Sequence, residues 1–245
     1  MKKFGLIGNP LAHSFSEKFF TEKFKRESIQ DCSYKLFPLQ RIDQLPALLE
    51  KENLQGFNVT IPYKESVLSY LNQLSDEAKQ IGAVNCVLIQ DEKLIGHNTD
   101  VFGFEVSISQ WLNKPIKQAL ILGNGGSAKA VKFALKRLEI PFEIVSRSGA
   151  LNYENLPASL VHDSHLIINT TPLGMSPQTE AFPDIAYEAI GSQHFVFDLI
   201  YNPSETPFLR KCKLAGASIK NGAEMLKLQA EKSWEIWSSN DRPND

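Results

Sequence analysis

Cysteine is scarce: the 245 residues hold three, Cys32, Cys86 and Cys212. They are odd in number and far apart, which excludes a disulfide framework and any cysteine-based metal spacing, so no metal is expected. Reduced, buried thiols in a cytoplasmic protein are the expectation. An excess of one charge is also missing. Lys and Arg total 26 against 28 Asp and Glu, a net of −2, and a nucleic-acid partner would need a cationic face. No apolar run approaches the ~20 residues of a membrane span, so no membrane partner is expected. The apolar stretch after Lys2-Lys3 breaks at Gly8-Asn9-Pro10, too short for a signal-peptide core. Internal repeats and low-complexity tracts are missing too, and residues 240–245 read as a frayed tail. What is there is ordinary globular material, 42% hydrophobic and 22% charged, enough for one large domain or two modest ones.

The order of segments gives an α/β protein. Candidate strands at 4–8, 34–39 and 57–61 alternate with candidate helices at 14–26 and 40–52. Helical material runs on to 81, and strands at 83–89 and 93–98 flank a turn at Asp91-Glu92. This predicts a mostly parallel sheet with an antiparallel edge. A helix over 101–112 leads away. The alternation then restarts with strands at 118–122, 142–145, 165–169, 195–199 and 217–220, loops at 149–157 and 172–184, and a last helix over 224–237.

Residues 58–64 read Asn58-Val59-Thr60-Ile61-Pro62-Tyr63-Lys64. On an extended backbone Asn58 and Thr60 share one face, while Val59 and Ile61 turn the other way and can be buried. Pro62 ends the strand, leaving a polar row with an ammonium just past it. Such a row suits a small polar ligand at strand ends; an edge strand with a solvated lysine is the plainer alternative.

The segment 118–122 is a buried-strand pattern that enters Gly123-Asn124-Gly125-Gly126-Ser127-Ala128 and continues as a helix. This is G-x-G-x-x-A between strand and helix, the context a dinucleotide loop requires. The first glycine permits the turn, the second lets backbone approach a pyrophosphate, and Ala128 packs closely. Helix N-terminal amides then bind the negative charge. An NAD site usually carries a carboxylate at the end of the next strand. Here that strand ends in Ser146-Arg147-Ser148, a guanidinium between two hydroxyls, which suits the 2′-phosphate of NADP.

Other polar residues gather at strand ends and helix starts. Ser14 and Ser16 can cap a helix or hold a carboxylate. Asn85 follows Gly82-Ala83-Val84 inside or at the start of an apolar strand and must find partners. Asp100 follows Asn98-Thr99, either as an N-cap or as a functional group. Tyr201 lies at another strand end. Gln229 sits on the last helix, where an exposed helix former is the plain reading. His13 and His97 stand near these segments as candidate acid–base groups.

Taken in order, Ser14-Phe15-Ser16, the 58–64 segment, Ile81-Gly82-Ala83-Val84-Asn85, Asn98-Thr99-Asp100 and Gly103-Phe104 resemble the shikimate dehydrogenases. So do the Gly123 loop, Ile168-Asn169-Thr170, Gly174-Met175, Asp198-Leu199-Ile200-Tyr201-Asn202-Pro203 and Asn221-Gly222-Ala223-Glu224-Met225-Leu226 with Gln229. Glu17, Asn124, the Ser146 and Ser148 positions, Asn152-Tyr153 and Pro172-Leu173 depart from that family's usual pattern. The resemblance implies reversible, NADPH-dependent reduction of 3-dehydroshikimate to shikimate in aromatic amino-acid biosynthesis. It implies two α/β domains: a discontinuous substrate domain over 1–101 and 222–245, and a Rossmann-type NADP domain over 102–221. Ser14, Ser16 and Tyr201 would hold the substrate carboxylate, and Asn58, Thr60, Asn85, Asp100 and Gln229 its ring oxygens. Lys64 and Asp100 would form the catalytic pair. Thr170, Met175 and Gly222 would line the cofactor cleft. The partner is then a small molecule, and a homodimer is compatible with the pattern. A quinate/shikimate dehydrogenase of relaxed choice and a non-catalytic small-molecule sensor on the same fold stand as alternatives.

Overall fold

The computed structural model describes residues 1–11 and 14–239, so His13 and the 240–245 segment lie outside the described residues. Two compact units divide the chain: Met1–Thr99 with Gln229–Asp245, and Asp100–Leu228.

Side-chain alternation builds the first unit. In β1 (Lys2–Gly8), Phe4 and Leu6 turn to one face of the sheet and Ile7 to the other. The first face meets α1 (Phe15–Arg26), whose Phe19, Phe20 and Phe24 form its apolar stripe. The second face meets α2 (Leu45–Glu52), which a single 3₁₀ turn at Ile42–Gln44 precedes. The remaining strands are β2 (Cys32–Pro38), β3 (Leu54–Val59), β4 (Gln73–Leu74), β5 (Cys86–Gln90) and β6 (Lys93–His97), with α3 (Asp76–Ile81) before β5. Asp91 and Glu92 take φ of 49° and 60°, the left-handed pair that a two-residue hairpin needs.

The sheet order is β2-β1-β3-β5-β6-β4. β5 alone runs against its neighbours, pairing antiparallel with both β3 and β6. The expected antiparallel edge is therefore corrected. The reversed strand lies inside the sheet because β3 and β6 flank it, and the edge on that side is β4, too short to be read from the sequence and parallel to β6. A second correction concerns Ile61. The strand stops at Val59, Thr60 N–H bonds to the Ile7 carbonyl and Tyr63 N–H turns back to Thr60. Alternation ends there, so Ile61 is 53% exposed rather than buried.

The last helix, α8 (Ala223–Ser238), closes this unit from Gln229 onward. Trp237 stacks on Phe4 at 4.9 Å between centroids, and its indole N–H donates to the Val87 carbonyl at 3.0 Å. Gly56 makes the room, since a Cβ there would lie 2.5 Å from the indole nitrogen. The buried Lys23 of α1 bonds Glu231 of α8 at 2.6 Å and Glu27 at 2.9 Å.

The second unit has a five-stranded, all-parallel sheet in the order β11-β10-β9-β7-β8. Its strands are β7 (Ala119–Leu122), β8 (Phe142–Val145), β9 (Leu166–Asn169), β10 (Phe195–Asp198) and β11 (Ser218–Asn221). β7, β9 and β10 are buried along their whole length, the continuous apolar run of strands covered on both faces. The helices are α4 (Asp100–Ser109), α5 (Gly126–Arg137), α6 (Ala158–Asp163) and α7 (Pro207–Leu214). α6 and α7 were not expected. α6 is short and buries only Val161; α7 carries a Thr206 cap and Pro207 in its first turn, a start signal visible in the sequence. Among the described residues no helix is long and apolar enough to cross a membrane.

A buried carboxylate ties two strand ends of this sheet. Asp198 closes β10 and accepts from Thr206 Oγ1 at 2.6 Å, Asn169 Nδ2 at 3.0 Å and Ile200 N–H at 3.1 Å. Burial pushes its carboxyl up to about 6, and these three bonds limit the rise.

Two measurements test this packing. Gly56→Ala forces a methyl against Trp237 and is expected to cost about 1–3 kcal/mol in urea unfolding; an unchanged midpoint would contradict the close approach. For Asp198 the folded pKa lies above the unfolded one, so the native state binds the proton more tightly. That stability is present below about pH 4 and is lost as pH rises through about 6. Replacing Asp198 by Asn should remove roughly 2–3 kcal/mol of that pH dependence, and profiles that run parallel for variant and wild type would contradict it.

Candidate active site

In the first unit four of the expected substrate residues meet in one buried hydrogen-bond network. Asn58, Asn85 and Gln229 are at most 9% exposed and Ser16 is 8% exposed. Asn58 is held on both ends of its carboxamide: Oδ1 accepts from the Tyr34 hydroxyl at 2.9 Å, and Nδ2 donates to Ser233 Oγ at 2.9 Å and the Asn85 carbonyl at 3.1 Å. Asn85 stands just before β5, where its N–H bonds the His97 carbonyl. Its Oδ1 accepts from Thr99 N–H at 2.7 Å, and its Nδ2 donates to Thr99 Oγ1 at 3.0 Å and Gln229 Oε1 at 3.3 Å. Ser233 donates to the Gln229 carbonyl at 2.9 Å and lies 3.2 Å from Thr99 Oγ1. Ser16 bonds the Tyr34 phenol, which burial holds well above the ordinary tyrosine range and so keeps protonated.

Ser14 is the N-cap of α1, its Oγ accepting from Ser16 N–H at 3.2 Å, which leaves its own proton to donate. Thr60 stands just beyond β3. Lys64 is half-buried, and its carbonyl accepts from Val84 N–H at 2.8 Å, so its backbone is tied to the segment that carries Asn85. His97 is half-buried with an Nε2 that finds no partner, and burial lowers its pKa below the ordinary value. At neutral pH it is the uncharged imidazole. Among the described residues no group of three or more His, Cys, Asp and Glu could hold a metal ion.

In the second unit Asp100 is the buried first residue of α4. Asp100 and Lys64 thus belong to different units. The glycine loop links β7 to α5. Gly123 takes φ +107° and presses against Thr170, whose hydroxyl donates to the Leu122 carbonyl at 2.8 Å. No atom lies within 4 Å of a Cβ built on Gly125, so that backbone borders open space. Gly126 and Ser127 open α5, and Ala128 is buried under it. Asn124 accepts from Lys132 at 2.9 Å. Gly123 N–H bonds the Val145 carbonyl, which sets the loop beside the end of β8. There Ser146 is buried while Arg147 and Ser148 are exposed. Among the described residues no ion pair holds Arg147. An open-faced glycine turn, a helix N-terminus and a cation without a competing carboxylate fit an NADP molecule. Gly222 approaches backbone so closely that a Cβ would lie 2.1 Å from the Leu199 carbonyl oxygen. Met175 is exposed and Tyr201 half-buried.

The sequence reading missed Tyr34 and Ser233. Ser233 lies four residues after Gln229 and so shares its helix face, a signal the sequence did contain. Tyr34 carried none beyond strand alternation.

Known proteins match the chain in sequence and fold. A family model of the shikimate dehydrogenase substrate binding domain matches residues 6–87. A Clostridium beijerinckii protein named shikimate dehydrogenase (NADP(+)) is 38% identical, with 97% of this chain and 92% of that protein covered. The structure of shikimate dehydrogenase 1 from Peptoclostridium difficile superposes with a TM-score of 0.85 at 34% identity, covering 100% of this chain and 94% of that one. Shikimate 5-dehydrogenase from Thermus thermophilus, solved in complex with NADP(H) and shikimate, gives a TM-score of 0.86 at 29% identity over 98% and 94% of the two chains. On whole-length similarity and fold together, this chain belongs to the shikimate dehydrogenase family.

Proposed function

We propose that this chain is an NADP-dependent oxidoreductase that interconverts 3-dehydroshikimate and shikimate. One observation carries the reading: a chain of this family holds both a buried carboxamide network in its first unit and, in its second, a dinucleotide loop beside Arg147. NADPH, when bound, supplies the hydride to the ketone carbon. The residues of the chain do the rest. Gly123 fixes the turn through its own N–H bond to the Val145 carbonyl, the amides of Asn124, Gly125, Gly126, Ser127 and Ala128 take the pyrophosphate, and Arg147 with Ser146 and Ser148 takes the 2′-phosphate. Thr170, Met175 and Gly222 line the nicotinamide side. Ser14 and Tyr201 donate hydroxyl protons to the substrate carboxylate, and Ser16 turns its proton from the Tyr34 phenol to join them. Asn58, Thr60, Asn85, Asp100 and Gln229 surround the ring oxygens.

The ketone oxygen gains a proton as its carbon gains the hydride. Lys64 donates that proton, and in the reverse direction recovers it. Asp100 accepts a hydrogen bond from the neighbouring substrate hydroxyl and orients it. The test is absorbance at the reduced-nicotinamide band with shikimate and NADP, with NAD and quinate in parallel. Turnover with shikimate and NADP supports the reading. Ligand binding without turnover would make the chain a sensor, and a preference for quinate with NAD would overturn the substrate assignment.

Two variants test the roles. Lys64→Ala should lower kcat by ~10²–10⁴-fold with a smaller change in KM; an unchanged kcat removes Lys64 from the chemistry. Arg147→Ala should weaken NADPH binding by about 1.5–3 kcal/mol and leave NADH nearly unaffected. Equal losses for both cofactors would mean that Arg147 does not read the phosphate.

A further inference from the structure

The buried network of the first unit contains three residues with no place in the reaction just described, Tyr34, Thr99 and Ser233, and two of them, Tyr34 and Ser233, hold the Asn58 carboxamide. We propose that Tyr34 and Ser233 are positioning residues for the substrate, locking the carboxamides of Asn58, Asn85 and Gln229 in a single orientation. The proposal rests on the functional reading above and extends it to residues that meet neither substrate nor cofactor.

Hydrogen-bond polarity carries the argument. The phenol of Tyr34 donates to Asn58 Oδ1 at 2.9 Å, and the Asn85 backbone carbonyl, which can only accept, fixes the other end of the carboxamide at 3.1 Å. Asn58 can then present only Nδ2 to its other partners. Both of its protons find acceptors there, Ser233 Oγ at 2.9 Å and the Asn85 carbonyl at 3.1 Å. Ser233 is fully buried. Its hydroxyl accepts from Asn58 while donating to the Gln229 carbonyl at 2.9 Å, so it welds β3 to α8. Thr99 continues the chain: its N–H fixes Asn85 Oδ1, and its Oγ1 accepts from Asn85 Nδ2. The second Asn85 proton reaches Gln229 Oε1 at 3.3 Å. Gln229 therefore turns its carbonyl into the network and its amino group away from it. A substrate hydroxyl oxygen facing that amino group meets a donor. Flipping any one carboxamide would set donor against donor or acceptor against acceptor in a buried site.

The test is steady-state kinetics of Tyr34→Phe, Ser233→Ala and the double variant, each removing one oxygen. Each single change should raise KM for shikimate by about 5- to 30-fold, the loss expected of one oriented hydrogen bond. KM for NADP should stay within about twofold of wild type, because the altered side chains lie in the unit without the dinucleotide loop. Both residues hold the same carboxamide, so the double variant should lose less than the product of the single losses. Unchanged KM for shikimate, parallel rises in both KM values, or fully multiplicative losses would overturn the proposal. Should Ser233→Ala not fold, Tyr34→Phe alone decides by calorimetric shikimate affinity: a 5- to 30-fold loss supports it, about the wild-type value overturns it. Wild-type turnover tests the functional reading separately; only the ratio of variant to wild type tests this one.

Discussion

The carboxamide of Asn58 is the point on which the first unit turns. It bonds to Tyr34, 24 residues earlier, and to Ser233, 175 residues later. Through those bonds the last helix is bound into a sheet made from the first ~100 residues of the chain. A buried amide left without partners costs about 1–3 kcal/mol, so the network is favourable only when complete. Completion demands that α8 sit at one height and one rotation. The Lys23–Glu231 pair, the Trp237–Val87 bond and the close approach at Gly56 set that position. Gln229 and Asn85 gain a fixed geometry as a consequence.

The second unit follows a different constraint. Its central strands β7, β9 and β10 are buried along their whole length, so polar work falls to the carboxyl ends of the strands. Leu122 leads to the glycine loop, Val145 to Arg147, Asn169 to Thr170 and Asp198 to Tyr201. The Asp198–Asn169–Thr206 bonds and the contact of Thr170 with Gly123 keep these ends together. The same parallel order that buries the strands thus collects the residues proposed for the dinucleotide along one edge.

Much of this was legible in the sequence, and the omissions have physical causes. Strands such as β8 and helices such as α1 were plain because periodicity and burial agree there. The two-residue β4 and the six-residue α6 are too short to leave a period. The interior place of β5 depends on which strand pairs with which, and alternation is silent on that. In the site, Asn58 announced itself as a polar residue in an apolar strand. Its direction was not legible. Which partners hold the two ends of the carboxamide is not written in the strand, and only the return of α8 brings Ser233 to its Nδ2. Ile61 was misread for the related reason that a turn after Val59 ends the alternation two residues early.

The carboxamides of the proposed substrate surface are set before the ligand arrives. A crystal structure of the protein with shikimate bound tests this most directly. The prediction is that Asn58 keeps its bonds to Tyr34 and Ser233 and that Gln229 keeps its carbonyl toward Asn85, its amino group meeting a substrate oxygen. Rotation of the Asn58 carboxamide out of the network, or a flipped Gln229, would contradict it.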